Sequence, residues 1–435
     1  MIFSPDGVST AYLYNDIALR LQQRGYEVVV LTTTPHFNIV PEQVAQQPMR
    51  WKVWGFCKVS KYHGMTVLHV PQKKFKSTLL RLLGFVYWHI VSFFIGLTVR
   101  HVDLILSPSP PLTVGWMNLG LAKLKGCKVV YNVQEIYPDI LKLKGGFVQK
   151  FLSWMEHKVY NGSDAVTTID QIFYDTIVGR FKDKSKLHII PNFVDTELYH
   201  KVSVEFKDES LESVQGVQSS KELQDGKIKD SENSKLTTDF KPYTLNSKLF
   251  PNTESIKLLY AGNIGHAQSW EPLIELADKT RDLNVEYIVI GEGAKRKYVA
   301  EEIEKRHLEK LHLLPYQPRE LMPAILSYSD LNFIFMSPKI DRDGFPSKVY
   351  TIMACEKPLL VVSGKDTPII NFLEDKGCAK LITNNSVEEM ASWLRSITRD
   401  ELQAMGKKGL KTIEEHYSKE IVTGMYADLV DKLLG

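Results

Sequence analysis

Two trains of short β-branched runs, each run set off from the next by an amphipathic segment, leave this chain few folds to choose from. In the first half "YEVVVLTTT", "HVDLILSPSPP", "CKVVYNVQE", "SDAVTTID" and "KLHIIPN" read as strands. In the second half "SIKLLYAG", "NVEYIVIG", "LHLLPY", "DLNFIFM", "PLLVVSG" and "AKLIT" repeat the theme. The segments between carry helical periodicity: "STAYLYNDIALRLQQRG" places Ala11, Leu13, Tyr14, Ile17, Ala18 and Leu21 on one face and stops at Gly25. Buried strands alternating with helices mean βαβ units and parallel sheets.

A chain of 435 residues with 44% hydrophobic content fills two cores, because a single core stops growing well below this length. The break between them is compositional. Residues 201–255 are rich in Lys, Asp, Glu and Ser and poor in periodic apolar residues, so they read as a flexible charged insertion or linker. The expected organisation is a Rossmann-like domain at 1–195, the insertion, a second Rossmann-like domain at 256–415, and a terminal helix at 416–435 crossing back to the first domain. Helical pattern runs through 387–398 and then through 400–434. Only "MIF" precedes "SPDG" and the first helix, so the first strand usual in such a domain is either lost from the fold or lies outside this sequence.

Net charge is +3 with acids and bases nearly balanced, which argues against nucleic acid as a partner. Cys57, Cys127, Cys355 and Cys378 form no CxxC pair or Cys/His cluster, so no metal site is expected and a reducing compartment suits them. The N-terminus shows no basic region followed by an apolar core, and the expectation is a cytoplasmic protein. "LLGFVYWHIVSFFIGLTV", Leu82 to Val99, follows the basic "QKKFK". Three readings of it stand: a helix buried in an α/β core, a helix lying in the membrane interface through residues 73–99, and a span.

Three glycine-bearing turns follow strands of the second half: "YAGNIG" with Gly262, Asn263 and Gly265, "IGEG" with Gly291, Glu292 and Gly293, and "DGFPSK". Glycine after a strand lets backbone N–H groups approach a phosphate closely. Neither of the first two fits G-x-x-x-x-G-K-[ST], which argues against P-loop hydrolysis. In the third, Ser347 is expected to cap a new helix, and Lys348 stands in its first turn, where the macrodipole disfavours a cation. A rule broken locally without compensation marks function, and an anion beside Lys348 removes the conflict.

The series "GYEVVVLTTTPHFN", "IIPNFVDTELY", "LLYAGNIG", "VIGEG", "SDLNFIFMSP" and "GFPSKVYTIMACEKPLLV" resembles the retaining glycosyltransferases of GT-B fold, family 4, and most closely bacterial members that build surface polysaccharides, such as N-acetylfucosamine transferases. The resemblance spans nearly all of the chain outside residues 201–255. It implies two Rossmann-like domains facing across a cleft, a nucleoside diphosphate sugar as donor substrate, and no separate cofactor. It places the donor diphosphate near Gly262–Gly265 and Lys348, and the nucleobase near Gly291, Glu292 and the Pro315–Gln317 segment with Tyr316. A lipid-linked or polysaccharide acceptor belongs to the first domain. There Glu135 of "VQEIYPDI" is the candidate for orienting or deprotonating the acceptor hydroxyl, with Asp139, Asp6 and His36 as further acceptor contacts.

The chain departs from the family's pattern in two places. Where relatives carry two glutamates eight positions apart, this sequence has Asp343 and Thr351, and a hydroxyl at Thr351 accepts less from a ribose than a carboxylate. After the first donor-side glycine "GNIGHAQSWE" offers only His266 for an expected Arg and Lys. Two other readings share the fold: a nucleotide-sugar 2-epimerase, which needs acidic groups at the donor sugar and finds no clear pair here, and a partner subunit that has lost catalysis, which Thr351 and the short N-terminus suggest.

Overall fold

The computed structural model describes the chain except for residues 1, 7–8, 37–40, 53–54, 73–76, 142–144, 208–242, 248, 252 and 340–344. It divides into two compact units, Met1–Phe193 with His416–Gly435, and Val194–Glu415.

The first unit runs α1 (Ser9–Gln23), β1 (Val29–Thr33), α2 (Pro41–Gln46), β2 (Arg50–Lys52), β3 (Cys57–Tyr62), β4 (Met65–Val70), α3 (Thr78–Thr98), β5 (Leu104–Pro108), α4 (Leu112–Lys125), β6 (Lys128–Val133), α5 (Phe147–Gly162), β7 (Ala165–Thr168), α6 (Gln171–Ile177) and β8 (Leu187–Ile189). Strands β5-β6-β7-β8 form a wholly parallel sheet, and β1-β4-β3-β2 a second one in which β1 and β4 run parallel and β4, β3 and β2 antiparallel. Sequence periodicity gave no sign of the antiparallel β2–β4 piece. Its strands are three to six residues long, and β3 and β4 meet in a tight turn at His63 and Gly64, both at positive φ.

Among the described residues no strand precedes α1. Phe3 instead lies buried in one apolar cluster with Val30 and Val67 of the second sheet and Val130, Ala165 and Ile190 of the first. A large aromatic ring thus does part of the core-filling that a strand does elsewhere. The same cluster takes in Val422, Tyr426, Ala427 and Val430 of the terminal helix, α14 (Lys419–Leu434). The Asn132 side chain on β6 donates to Tyr426 Oη at 2.8 Å and accepts from Tyr14 Oη at 2.6 Å. Outside the core, Arg24 pairs with Asp428 and Asp431, each at 2.7 Å.

The second unit runs β9 (Val204–Lys207), β10 (Tyr243–Asn246), β11 (Ile256–Ala261), α7 (Glu271–Lys279), β12 (Val285–Ile290), α8 (Arg296–Arg306), β13 (Leu311–Leu314), α9 (Met322–Tyr328), β14 (Leu331–Phe335), α10 (Lys348–Ala354), β15 (Leu359–Val362), α11 (Pro368–Leu373), β16 (Ala379–Ile382), α12 (Val387–Ser396) and α13 (Arg399–Thr412). Its main sheet is parallel throughout, in the order β13-β12-β11-β14-β15-β16. Renumbered from β11 this is 3-2-1-4-5-6, the doubly wound order, whose switch point falls between β11 and β14. All five residues of β14 are buried, as a central parallel strand requires.

Two expectations need correction. The edges of the 201–255 segment are ordered: β9 and β10 pair in parallel, and Phe206 and Phe250 both pack edge-on against Tyr328. Apolar Val204, Phe206 and Leu245 inside a polar sequence carry this small sheet, while most of the expected flexible stretch, 208–242, lies outside the described residues. The helical pattern of 400–434 is two helices, because α13 ends in a π-turn at Ile413–Tyr417 and Ser418 caps α14 by accepting from the Ile421 N–H.

Candidate active site

On the second unit, the turns after β11 and β12 are locked together through the backbone. The Gly262 N–H donates to Ile290 O at 2.9 Å, and the Ile264 N–H to Glu292 O at 2.8 Å. This closeness needs glycine. Gly291 has φ +141°, and a Cβ there would lie 1.9 Å from Gly262 O; one on Gly293, at φ +154°, would lie 2.4 Å from Ile264 O. The Trp270 indole N–H donates to Gly265 O at 3.0 Å and pins the far side of the first turn.

Lys348 reaches this corner from the other side of the switch point. Its side chain turns back from the start of α10, and its ammonium donates to Ala261 O at 3.1 Å. The same Nζ lies 3.8 Å from the centroid of the Tyr260 ring, close enough for a cation–π contact. A Cβ on Gly262, at φ +148°, would come within 2.7 Å of that nitrogen. The residue as a whole is half-buried, but its ammonium is walled in by ring and backbone, and this desolvation brings its pKa down to about 7. No salt bridge to Lys348 occurs among the described residues. The arrangement is a desolvated cation beside backbone left bare by three glycines, chemistry suited to an oxyanion.

The other donor-side candidates fall as follows. Asn263 and Glu292 are exposed on their turns. Tyr316 is 63% exposed. Thr351 donates its hydroxyl to Lys348 O at 2.9 Å, which leaves its oxygen only as an acceptor for a ligand. Asp343 lies outside the described residues. Ser347 corrects an expectation: it stands at the cap position with helical φ and ψ of −55° and −22°, and its side chain makes no capping bond. A cap side chain reaches its N–H groups from extended backbone, and Pro346 followed at once by helix does not provide that.

Two residues that the sequence reading passed over belong here. Tyr260 forms the floor under Lys348 and donates its hydroxyl to Asn263 O at 2.7 Å. Arg296 donates from one guanidinium nitrogen to Gly291 O and Leu314 O, at 3.1 and 3.0 Å, and lies 3.5 Å from Glu292. It ties the ends of β12 and β13 together. An aromatic one residue before the strand-end "AG" was a readable signal for Tyr260; an arginine in the first turn of a charged helix was not.

On the first unit the acceptor-side candidates separate. Asp6 and His36 meet, the His36 N–H donating to Asp6 Oδ1 at 2.9 Å, with Asp6 buried. His36 Nδ1 is further held near Thr34 O and Thr33 Oγ1, at 2.9 and 3.1 Å. Glu135 follows β6, half-buried, and its carbonyl accepts from Ser109 Oγ at 3.4 Å. Burial raises its carboxyl pKa, offset in part by a hydrogen bond with Tyr137. Asp139 is drawn elsewhere: Arg180 bridges it at 2.5 Å and Glu156 at 2.6 Å. Burial still pushes Glu156 up to about 7 in spite of Arg180. Among the described residues no three His, Cys, Asp or Glu side chains gather as a metal site.

Residues 11–198 match the model "Glycosyltransferase Family 4", and residues 244–412 the model "Glycosyl transferases group 1". Over 409 residues the chain is 23% identical to the putative colanic acid biosynthesis glycosyl transferase WcaI of Escherichia coli K12, covering 90% of this chain and 89% of that relative. It is 24% identical over 179 residues to the probable glycosyltransferase WbjE of Pseudomonas aeruginosa, covering 40% of this chain and 44% of WbjE. Among solved structures, Anabaena HepE in complex with UDP and glucose superposes with TM-score 0.63 at 12% identity, over 99% of this chain and 98% of that one. Sucrose-phosphate synthase from Thermosynechococcus elongatus gives TM-score 0.67 at 11% identity, over 98% and 94%. The chain has the GT-B fold, and each unit carries a region that matches a glycosyltransferase model, family 4 in the first and group 1 in the second.

Proposed function

We propose that this chain moves a hexose from a nucleoside diphosphate sugar to a lipid-linked or polysaccharide acceptor in the synthesis of cell-surface glycan, with retention at the anomeric carbon and without a metal. The observation that carries this reading is the Lys348 ammonium, desolvated over Tyr260 and against Gly262. Departure of a nucleoside diphosphate leaves an oxocarbenium-like sugar while negative charge gathers on the leaving oxygens. A fixed cation lowers that barrier because it needs no reorganisation when the charge appears. Glu135, with its raised pKa, suits the task of taking a proton from the acceptor hydroxyl. The resemblance to WcaI supports a surface polysaccharide as the product, and the UDP bound by HepE supports a nucleoside diphosphate donor.

The same reading sets the protein in the cytoplasm, at the inner face of the membrane. Helix α3 supports it: 28% of its apolar window is buried, so it is not the core helix that one sequence reading allowed. Flotation with anionic liposomes tests the contact, and recovery wholly in the soluble fraction rejects it.

A thermal-shift screen of nucleoside diphosphate sugars identifies the donor, because a ligand bound to the native state raises the melting temperature. Transfer is then measured for wild type and Lys348→Ala. Donor turnover lost in the variant supports the proposal, whereas undiminished turnover, or no donor bound by wild type, overturns it.

A further inference from the structure

The first unit carries a cavity of about 1130 Å³ between α3, α4 and α5, apart from the residues already discussed. Its walls are Phe85, Ile90 and Phe93 of α3, Trp116 of α4, and Phe151 and Met155 of α5. The polar groups near one end are satisfied: His89 Nδ1–H donates to Phe85 O at 2.8 Å, and Thr113 donates to His89 Nε2 at 2.9 Å. Burial lowers the His89 pKa, so this pair stays neutral.

The cavity opens into an apolar surface of unusual size for a protein in water. Leu79, Leu83, Ile90 and Phe94 of α3 are each more than half exposed. On α5, Phe147 is 82% exposed and stacks on Phe151, which stacks on Trp154, which meets Trp116 of α4 edge-on with centroids 5.8 Å apart. A continuous aromatic ladder thus joins α5 to α4 along the cavity's rim.

The charge pattern says what kind of occupant fits. The charged residues of these three helices are Arg81, Lys123, Lys125, Lys150, Lys158 and the single acid Glu156. Glu156 is buried and held by Arg180, and the charged residues that line the cavity itself are Lys123, Lys158 and Asp164, the last paired with Lys128 at 3.2 Å, so cations outnumber acids around it. Long apolar walls rimmed by positive charge match an anionic amphiphile.

The direction of the groove is also fixed. Helix α4 leaves the carboxyl end of β5 after three residues, so its first turn sits at the end of the sheet where Glu135 follows β6. Contacts of α3 with α4 advance together, from His89–Thr113 to Gly96–Leu121, and those of α5 with α4 from Trp154–Trp116 to Gly162–Leu119. All three helices therefore run in the same direction, α4 and α5 from the end of the sheet that carries Glu135, while α3 starts about eleven residues before it meets the first turn of α4; Lys150 stands in the opening turn of α5.

We propose that the α3–α4–α5 groove holds the hydrocarbon tail of an anionic lipid acceptor, its polar end at the Glu135 edge. This rests on the reading of the chain as a transferase to a lipid-linked acceptor and names where that lipid lies. The tail replaces water along the aromatic ladder, and the phosphate meets Lys150 in the opening turn of α5.

The test is isothermal titration of the full chain with farnesyl phosphate below its micelle concentration, alongside inorganic phosphate, farnesol and phosphatidylglycerol vesicles. Saturable one-to-one binding of farnesyl phosphate is expected, at least tenfold tighter than inorganic phosphate and tighter than farnesol. Gly120→Leu fills the groove from α4, and Ile90→Ser strips a half-exposed wall residue, so the second folds even if the first does not. Each is expected to weaken farnesyl phosphate at least fivefold with an unchanged melting temperature. Binding unaffected by both variants, or binding to vesicles without binding to monomeric farnesyl phosphate, overturns the proposal. A donor thermal shift on the same preparation separates the two readings: donor bound and no chain bound rejects this inference alone, while no donor bound rejects the sugar transfer.

Discussion

The Lys348 ammonium lies 3.8 Å from the centre of the Tyr260 ring and 3.1 Å from Ala261 O, held by π-face and carbonyl, with no carboxylate partner among the described residues. Desolvation makes this cation easier to deprotonate than an ordinary lysine. That makes its proton a reporter on the state of the site.

The first prediction concerns pH. With the folded pKa of Lys348 near 7 and the unfolded one near its ordinary value, the unfolded chain binds the extra proton between about pH 7 and 10. Stability without donor therefore rises with pH in that window, by at most about 1.4 kcal/mol per unit from this group, and the gain is lost as pH falls through 7. Lys348→Met lacks this slope and is expected to melt above wild type at pH 6.5, the two drawing closer as pH rises and converging only above about pH 10. Donor affinity runs the other way, weakening up to about tenfold per unit above pH 7, because the diphosphate selects the protonated lysine. Denaturant melts of both proteins and donor titrations at pH 6.5 and 8.5 check the two slopes; parallel curves reject the assignment.

Tyr260→Leu removes both the ring under Lys348 and the hydrogen bond to Asn263 O. A cation–π contact and one hydrogen bond together are worth about 1–3 kcal/mol, so donor KM is expected to rise on the order of tenfold to a hundredfold. Tyr260→Phe keeps the ring and is expected to lose only the smaller share. Equal effects from the two variants place the contribution in the hydroxyl instead.

Gly291→Ala drives a methyl to within 1.9 Å of the Gly262 carbonyl at a φ that alanine rarely adopts. Backbone strain alone costs about 1–3 kcal/mol, and separating the two turns adds to it. Gly179→Ala, with nothing within 4 Å of the new methyl, serves as the control and is expected to stay within about 0.5 kcal/mol of wild type. Urea midpoints for the pair decide this.

Glu135→Gln tests the acceptor side. If Glu135 takes the acceptor proton, the variant keeps donor affinity and loses about 10²–10⁴ in transfer rate, the range for general base catalysis. Burial raises the Glu135 pKa, so the acid limb of the wild-type profile sits above the ordinary glutamate range, and activity falls as pH drops through it. Transfer assayed across pH for both proteins shows the limb disappearing in the variant; a limb that persists assigns it to another group.

The strands, the two-unit division and the glycine turns were readable because each follows from a local rule. Val-rich runs such as "VEYIVI" have no other stable place than a buried parallel strand, and Gly291 and Gly293 after such a strand announce a close backbone approach. Lys348 was legible as a broken rule. What it touches was not, since Tyr260 is 88 residues away in sequence and only the switch-point topology brings the two together. Arg180 likewise reaches Asp139 from a distance, making it one arm of an ion-pair triad with Glu156 that its local sequence did not announce. The β9–β10 pair was hidden for a different reason: its apolar content is three or four side chains, below what composition over fifty residues registers.

Helix α14 fills the first unit's core with Val422, Tyr426 and Ala427, yet it is made after every residue of the second unit. On the ribosome, therefore, the first unit emerges with Asn132 and Val130 facing an unfilled slot and waits until residues 416–435 have followed the second unit. The second unit, whose sheet is complete by Ile382, is free to fold first, so the order of folding inverts the order of synthesis. Stalled nascent chains ending at residue 415 should accordingly be cut by protease within residues 1–193 while the second unit resists, and the reverse pattern would refute this sequence of events.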